Sequence, residues 1–143
     1  MPTPSSATTP HLARATLLEA TRAFTEAFNR NDLDGVMSWF TDDIVYEQFD
    51  GQVAEGPAAV REAFTPQFTG AFGRMRFDEQ DCFVDPEARR ALISWTCSMD
   101  NGDKARAWQG LDILHFSEDG RIERKLTYSK AAKLALHAVD RIA

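Results

Sequence analysis

The stretch "WQGLDILHFSEDGRIERKLTYSK" places Asp112 inside an apolar run that otherwise reads as a buried strand. A carboxylate facing a core costs several kcal/mol unless it is paired or protonated. Two chemistries fit. Asp112 is either a general acid/base in an apolar wall or the anionic half of a structural pair with Lys125; desolvation favours the neutral acid, whereas a close ammonium favours the carboxylate. Tyr46 and Gln48 share one face of an earlier strand-like run, where they would orient a ligand oxygen, while Glu47 points the other way. His11, His115 and His137 stand apart, and no HExxH, paired-cysteine, GxSxG, Walker or dinucleotide-glycine pattern occurs. The expectation is therefore no metal, no cofactor and no catalytic histidine.

The elements that must carry these residues follow from periodicity. Leu17, Thr21, Phe24 and Phe28 recur at helical spacing between Pro10 and about Arg30, with Thr9-Pro10 as the candidate start. "NDLDGVMSWF" restarts a short helix that Asn31 can cap, with Asp32 and Asp34 at the positive end of its dipole. "DDIVYEQFDG" alternates as a strand ending in an Asp-Gly turn, and "EGPAAVREAF" reads as a helix with Pro57 in its first turn, fraying near Pro66. Four strand-like runs then follow, broken by turn signals at Asp85-Pro86, Asn101-Gly102 and Asp119-Gly120. "AAKLALHAVDRIA" closes the chain as a short helix.

Helices first and a strand meander afterwards predict an α+β domain, its helices covering one face of a curved antiparallel sheet. Alternation puts Ala91, Ile93, Trp95, Cys97 and Met99 on the helix side, together with Trp108, Gly110, Asp112, Leu114 and Phe116 of the next strand. Asp112 would then share a concave interior with Trp95 and Met99. A tight turn centred on Glu118 and Asp119 would set Lys125 directly opposite Asp112, the register preferred here. A three-residue loop with Gly120 would instead turn Leu126 and Tyr128 inward. The aromatic set Phe24, Phe28, Trp39, Phe64, Phe68, Phe72, Trp95 and Trp108 is chiefly core, with some members forming pocket wall.

The 143 residues fit one domain, read as 11–143 behind a disordered leader at 1–10. A formal net charge of -6 and no basic run longer than two residues argue against nucleic acid. No signal peptide or membrane span is read, and two cysteines, Cys82 and Cys97, in strand-like runs suit buried thiols in a reducing, cytoplasmic setting.

"FNRNDLDGVMSWFTDDIVYE", "GPAAVREAF" and "GLDILHFSEDGRI", in this order, resemble the nuclear transport factor 2-like superfamily, which includes ketosteroid isomerases and SnoaL-like polyketide cyclases. The resemblance implies a cone-shaped α+β barrel of cystatin-like type, with an apolar pocket at its wide mouth. It also implies a homodimer through the outer sheet face, where Leu111, Ile113, Leu126 and Tyr128 are the candidates. The isomerases use a carboxylate base on the first strand, a tyrosine on the first helix and a protonated aspartate on the strand matching "GLDILHF". Here the aspartate is Asp112, but the base position is Gln48 and the tyrosine position is Phe24. Glutamine cannot abstract a proton at neutral pH, and phenylalanine cannot donate to an enolate oxygen. The expectation is an apolar small-molecule site with Asp112 catalytic and Lys125, Tyr46, Gln48, Phe24, Trp95, Trp108 and Met99 contacting substrate. Isomerase, cyclase or hydrolase chemistry fits it, with a non-catalytic binding or dimeric assembly module as the alternative.

Overall fold

A computed structural model of the chain describes residues 12–100, 102 and 105–130. The leader, the Thr9-Pro10 helix start, His11, His137 and the C-terminal helix expected from the sequence lie outside the described residues. Helix α1 (Arg14–Asn29) buries Leu17, Ala20, Thr21, Phe24, Thr25 and Ala27. Its two buried threonines are tolerated because each hydroxyl donates to a carbonyl one turn back, Thr21 Oγ1 to Leu17 O at 2.7 Å and Thr25 Oγ1 to Thr21 O at 3.0 Å.

Helix α2 (Leu33–Met37) is capped by Asp32, whose carboxylate accepts the Gly35 N–H at 2.9 Å. Asn31, the cap expected from the sequence, instead takes a left-handed conformation with φ 57 and turns the chain between α1 and α2. Strand β1 (Phe40–Glu47) forms a hairpin with the short β2 (Val53–Glu55) around the Asp50-Gly51 turn. Helix α3 (Pro57–Phe68) starts at Pro57 as expected but runs through Pro66 rather than fraying there. Proline costs little so near the end: Thr69 N–H reaches Thr65 O and Ala71 N–H reaches Pro66 O, which closes the last turn.

Strands β3 (Arg74–Asp85), β4 (Arg90–Asp100), β5 (Ala105–Phe116) and β6 (Ile122–Lys130) form the expected meander. The six-stranded sheet runs β2-β1-β6-β5-β4-β3. One joint departs from the expected antiparallel order: β1 pairs with β6 in parallel. The last strand returns beside the first, and the chain between them, helix α3 and four more strands, is long enough for that crossover. Helix α1 packs on β3 and β4 while α3 packs on β1 and β2, so the sheet curls to bring both of its ends over the helices.

The inner face divides into two parts. Leu17, Phe24, Val36, Phe40, Ile44, Tyr46, Val60, Phe64, Leu114, Phe116 and Ile122 fill the narrow end beneath the helices. Ile93, Trp95 and Cys97, with Met75, Phe77, Met99 and Trp108 against them, form a separate wall towards the wide end. Between the two lies the room for a site.

Candidate functional site

The expected inner and outer faces are those found, but the register is not the expected one. Asp112 opposes Thr127, and Lys125 opposes Leu114. The turn after β5 is longer than expected, with Ser117 N–H bonded to Arg121 O, so Phe116 pairs with Ile122. A bulge at Glu123 then slips the pairing by one more residue, because His115 already pairs with Arg124. Either slip alone would turn Lys125 outward. The two together restore its face, since side chains alternate with a period of two. Leu126 and Tyr128 consequently stay on the outer face.

The parallel joint sets Tyr46 beside Lys125. Lys125 Nζ lies 4.5 Å from the centroid of the Tyr46 ring and 5.5 Å from that of Phe64, on the face attractive to a cation. Its hydrogen bonds run to Asp112 Oδ1 at 2.9 Å and to Thr127 Oγ1 at 2.6 Å. Thr127 in turn donates to the same Oδ1 at 2.6 Å. From the other side Trp95 Nε1 donates to Asp112 Oδ2 at 3.2 Å. Asp112 is 6% exposed and Lys125 4%, so charge and donors are satisfied within the protein. Burial opposes the Lys125 ammonium, but Asp112 and Tyr46 outweigh it and hold the pKa above the ordinary lysine value.

A carboxylate oxygen accepts about two hydrogen bonds. Oδ1 has both of its donors, from Lys125 and Thr127, whereas among the described residues Oδ2 has only the Trp95 indole. One acceptor position on Oδ2 is left. Trp95 reaches it because Gly110 lies directly opposite on β5. A Cβ at Gly110 would sit 2.7 Å from the Trp95 ring and 2.5 Å from the Tyr128 carbonyl oxygen. Glycine at 110 is therefore a packing requirement of the Trp95–Asp112 contact.

Above this cluster opens a cavity of about 560 Å³. Asp112, Lys125, Thr127 and Tyr46 form its polar end, with Trp95, Trp108, Met99 and Gln48 also in its lining. Seven of the eight expected site residues are thus brought together. Phe24 is the exception: it is 1% exposed and stands edge-on to Phe28 and Phe40 in the core, one helical turn below the lining residue Phe28. The sequence reading also missed Phe49, Met75, Phe77 and Arg106, all of which line the cavity. Phe49 stacks obliquely on Trp108 with centroids 5.6 Å apart. Phe77 is fixed by Asn29, whose amide brackets the Phe77 backbone by accepting its N–H at 2.7 Å and donating to its carbonyl at 2.9 Å. Strand alternation could have flagged Met75, Phe77 and Arg106, because they fall on the inner face of β3 and β5.

Cys97, behind this wall, is fully buried, and burial pushes its thiol up to about 11. Among the described residues both cysteines are free, and no helix is long and apolar enough to cross a membrane.

The sequence matches the SnoaL-like domain over residues 21–125. No curated protein matches it. A proposed polyketide cyclase of Xanthomonas campestris is similar in structure at TM-score 0.70 and 21% identity, over 80% of this chain and 90% of that one. SalBIII, an epoxide hydrolase/cyclase-like enzyme in pyran ring formation in the polyether salinomycin, is similar at TM-score 0.72 and 18% identity, over 81% and 92%. A nuclear transport factor 2-like protein of unknown function from Mesorhizobium loti reaches 0.69 and 24%, over 82% and 93%. At such identities these neighbours show the fold, which related structures describe as cystatin-like. The family match is broader evidence, and by it the chain belongs to the SnoaL-like domain family of the nuclear transport factor 2-like superfamily.

Proposed function

We propose that this protein binds an apolar small molecule in its cone with a ligand oxygen against Asp112, and that Asp112 exchanges a proton with it in isomerase, cyclase or hydrolase chemistry. The observation that carries this reading is the acceptor position left on Asp112 Oδ2 at the end of an aromatic cavity. The cavity of about 560 Å³ falls in the ~300–1,000 Å³ range of small-molecule sites. Asp112 accepts from every donor around it, so its role is that of a base. Lys125 and Thr127 hold the carboxylate in place, and as the proton passes to Asp112 the Lys125 ammonium balances the negative charge left on the ligand. Gln48 offers an amide to a ligand carbonyl or hydroxyl. Proton transfer of this kind runs on side chains alone. The isomerase mechanism with a first-strand carboxylate does not fit, because Gln48 and Phe24 occupy the positions it needs.

A second reading has one observation in its favour. The Asp112–Lys125–Thr127 triangle closes on itself, as a purely structural cluster would. The protein would then act as a binding or assembly module through its outer sheet face. In either reading we take the protein to be a homodimer: Phe83, Leu92, Ile113 and Leu126 are consecutive partners across four strands and form an apolar row, beside Leu111 and Tyr128. Phe83 is 59% exposed and Tyr128 54%.

A thermal-shift screen with apolar ketones, lactones, epoxides and polycyclic phenols, run beside Asp112→Asn, separates the readings. A ligand at 100 times its Kd stabilises by about 2.7 kcal/mol, enough to move Tm by several degrees. A hit that weakens in Asp112→Asn supports the site. No hit across the panel, with the variant itself less stable, supports the structural cluster.

A further inference from the structure

We infer that the ligand is an apolar acid, with a hydroxyl at the end facing Asp112 and a carboxylate at the other end held by Arg106. This rests on the reading of the cone as a ligand site and adds the chemical class of the ligand. The inner side chains of the sheet form successive rows across the strands. Asp112 lies in the row with Thr127 and Ile93, Trp95 faces Gly110 in the next, and Trp108 aligns with Cys97 and Phe77 in the third. Arg106, Met99 and Met75 make the fourth row, and all three line the cavity. Arg106 and Asp112 are therefore at opposite ends of one lining, separated by roughly 20 Å of strand at about 3.4 Å per residue. Between them the wall is aromatic.

Among the described residues the lining has two cations, and they are in different states. Lys125 is buried and committed to Asp112 and Thr127. Arg106 is exposed and, among the described residues, forms no ion pair. The rim also carries a carboxylate, Asp50, but its Oδ1 and Oδ2 accept from the Gln52 backbone and side-chain amides, both at 3.1 Å. It makes no ion pair with Arg106. A guanidinium presents a planar fork of donors that matches a carboxylate. The net charge of -6 opposes an anion only at long range, because salt screens charges beyond ~8 Å in physiological buffer. Among the described residues that line the rim, the charged groups are Arg106 and Asp50, and of these Arg106 offers donors with no ion-pair partner.

Calorimetric titration of 4'-hydroxybiphenyl-4-carboxylate and of its methyl ester tests this, using the full chain, Arg106→Gln and Arg106→Lys. The acid should bind the unchanged protein roughly threefold to tenfold more tightly than the ester, as a partly exposed charge-assisted contact allows. That preference should vanish in Arg106→Gln, persist in part in Arg106→Lys, and shrink with added salt, while the affinity for the ester changes much less than that for the acid. Equal affinity for acid and ester, or a preference that survives Arg106→Gln, overturns the inference and leaves the cone-binding reading standing. Binding of neither probe overturns both.

Discussion

Lys125 and Asp112 are joined at 2.9 Å although they are not opposite one another in the sheet. Lys125 reaches diagonally from its place beside Tyr46 and opposite Leu114, and Thr127, the true partner of Asp112, fills the angle between them. With Tyr46 on β1 and Trp95 on β4 also in contact, the pair is held from four strands at once.

Removing one member leaves the other charge buried. Lys125→Met should therefore cost about 3–5 kcal/mol, whereas the double variant Asp112→Leu/Lys125→Met should recover most of that loss. Urea unfolding of the single and double variants checks this; a double variant as unstable as Lys125→Met would show that the cluster contributes more than charge pairing.

The raised Lys125 pKa fixes the direction of a pH effect. Unfolded lysine titrates near its ordinary value of 10.5, and the folded group titrates higher. Its contribution is complete below that value and is lost as pH climbs through the folded pKa. The stability gap between the unchanged protein and Lys125→Met should stay level from about pH 7 to about pH 10 and narrow only above that. A gap already closing near neutral pH would mean that burial, not Asp112, controls the lysine.

Gly110→Ala tests the support of the site rather than the site itself. The new methyl group would displace the Trp95 indole or the Tyr128 carbonyl. We expect a loss of about 1–3 kcal/mol and a shift in tryptophan emission as Trp95 leaves Asp112. Unchanged emission would show that the backbone, not the indole, absorbs the clash.

Light scattering at micromolar concentration should give the mass of a dimer. Ile113→Glu, in the middle of the outer apolar row, should give a monomer that keeps its secondary structure. A monomeric unchanged protein would remove the outer face as an interface.

Much of this architecture was legible in the sequence because period-two alternation is insensitive to where strands begin. Ile93, Trp95, Cys97 and Asp112 were placed on the inner face from alternation alone, and the structure keeps them there. The register of β6 was not legible. It depends on the longer loop that Gly120 at positive φ permits, which the sequence offers beside the tighter turn, and on a bulge at Glu123 that leaves no distinctive residue pattern; only their joint effect returns Lys125 to the expected face. Phe24 and Phe28 show the same limit on a helix: both lie on the apolar stripe, and only the curl of the sheet decides that Phe28 lines the cavity while Phe24 is sealed below it. Arg106 was overlooked because a charged residue near a strand end reads as solvated, although its parity with Asp112 puts it on the same face.

The central claim is that the cone takes a ligand whose oxygen meets Asp112. Trp95 and Trp108 both line the cavity, so their fluorescence reports occupancy directly. Titration of 4-hydroxybiphenyl should quench that emission saturably in the unchanged protein, with weaker binding in Asp112→Asn at equal folded fraction. No saturable change, or an identical curve in Asp112→Asn, would contradict it.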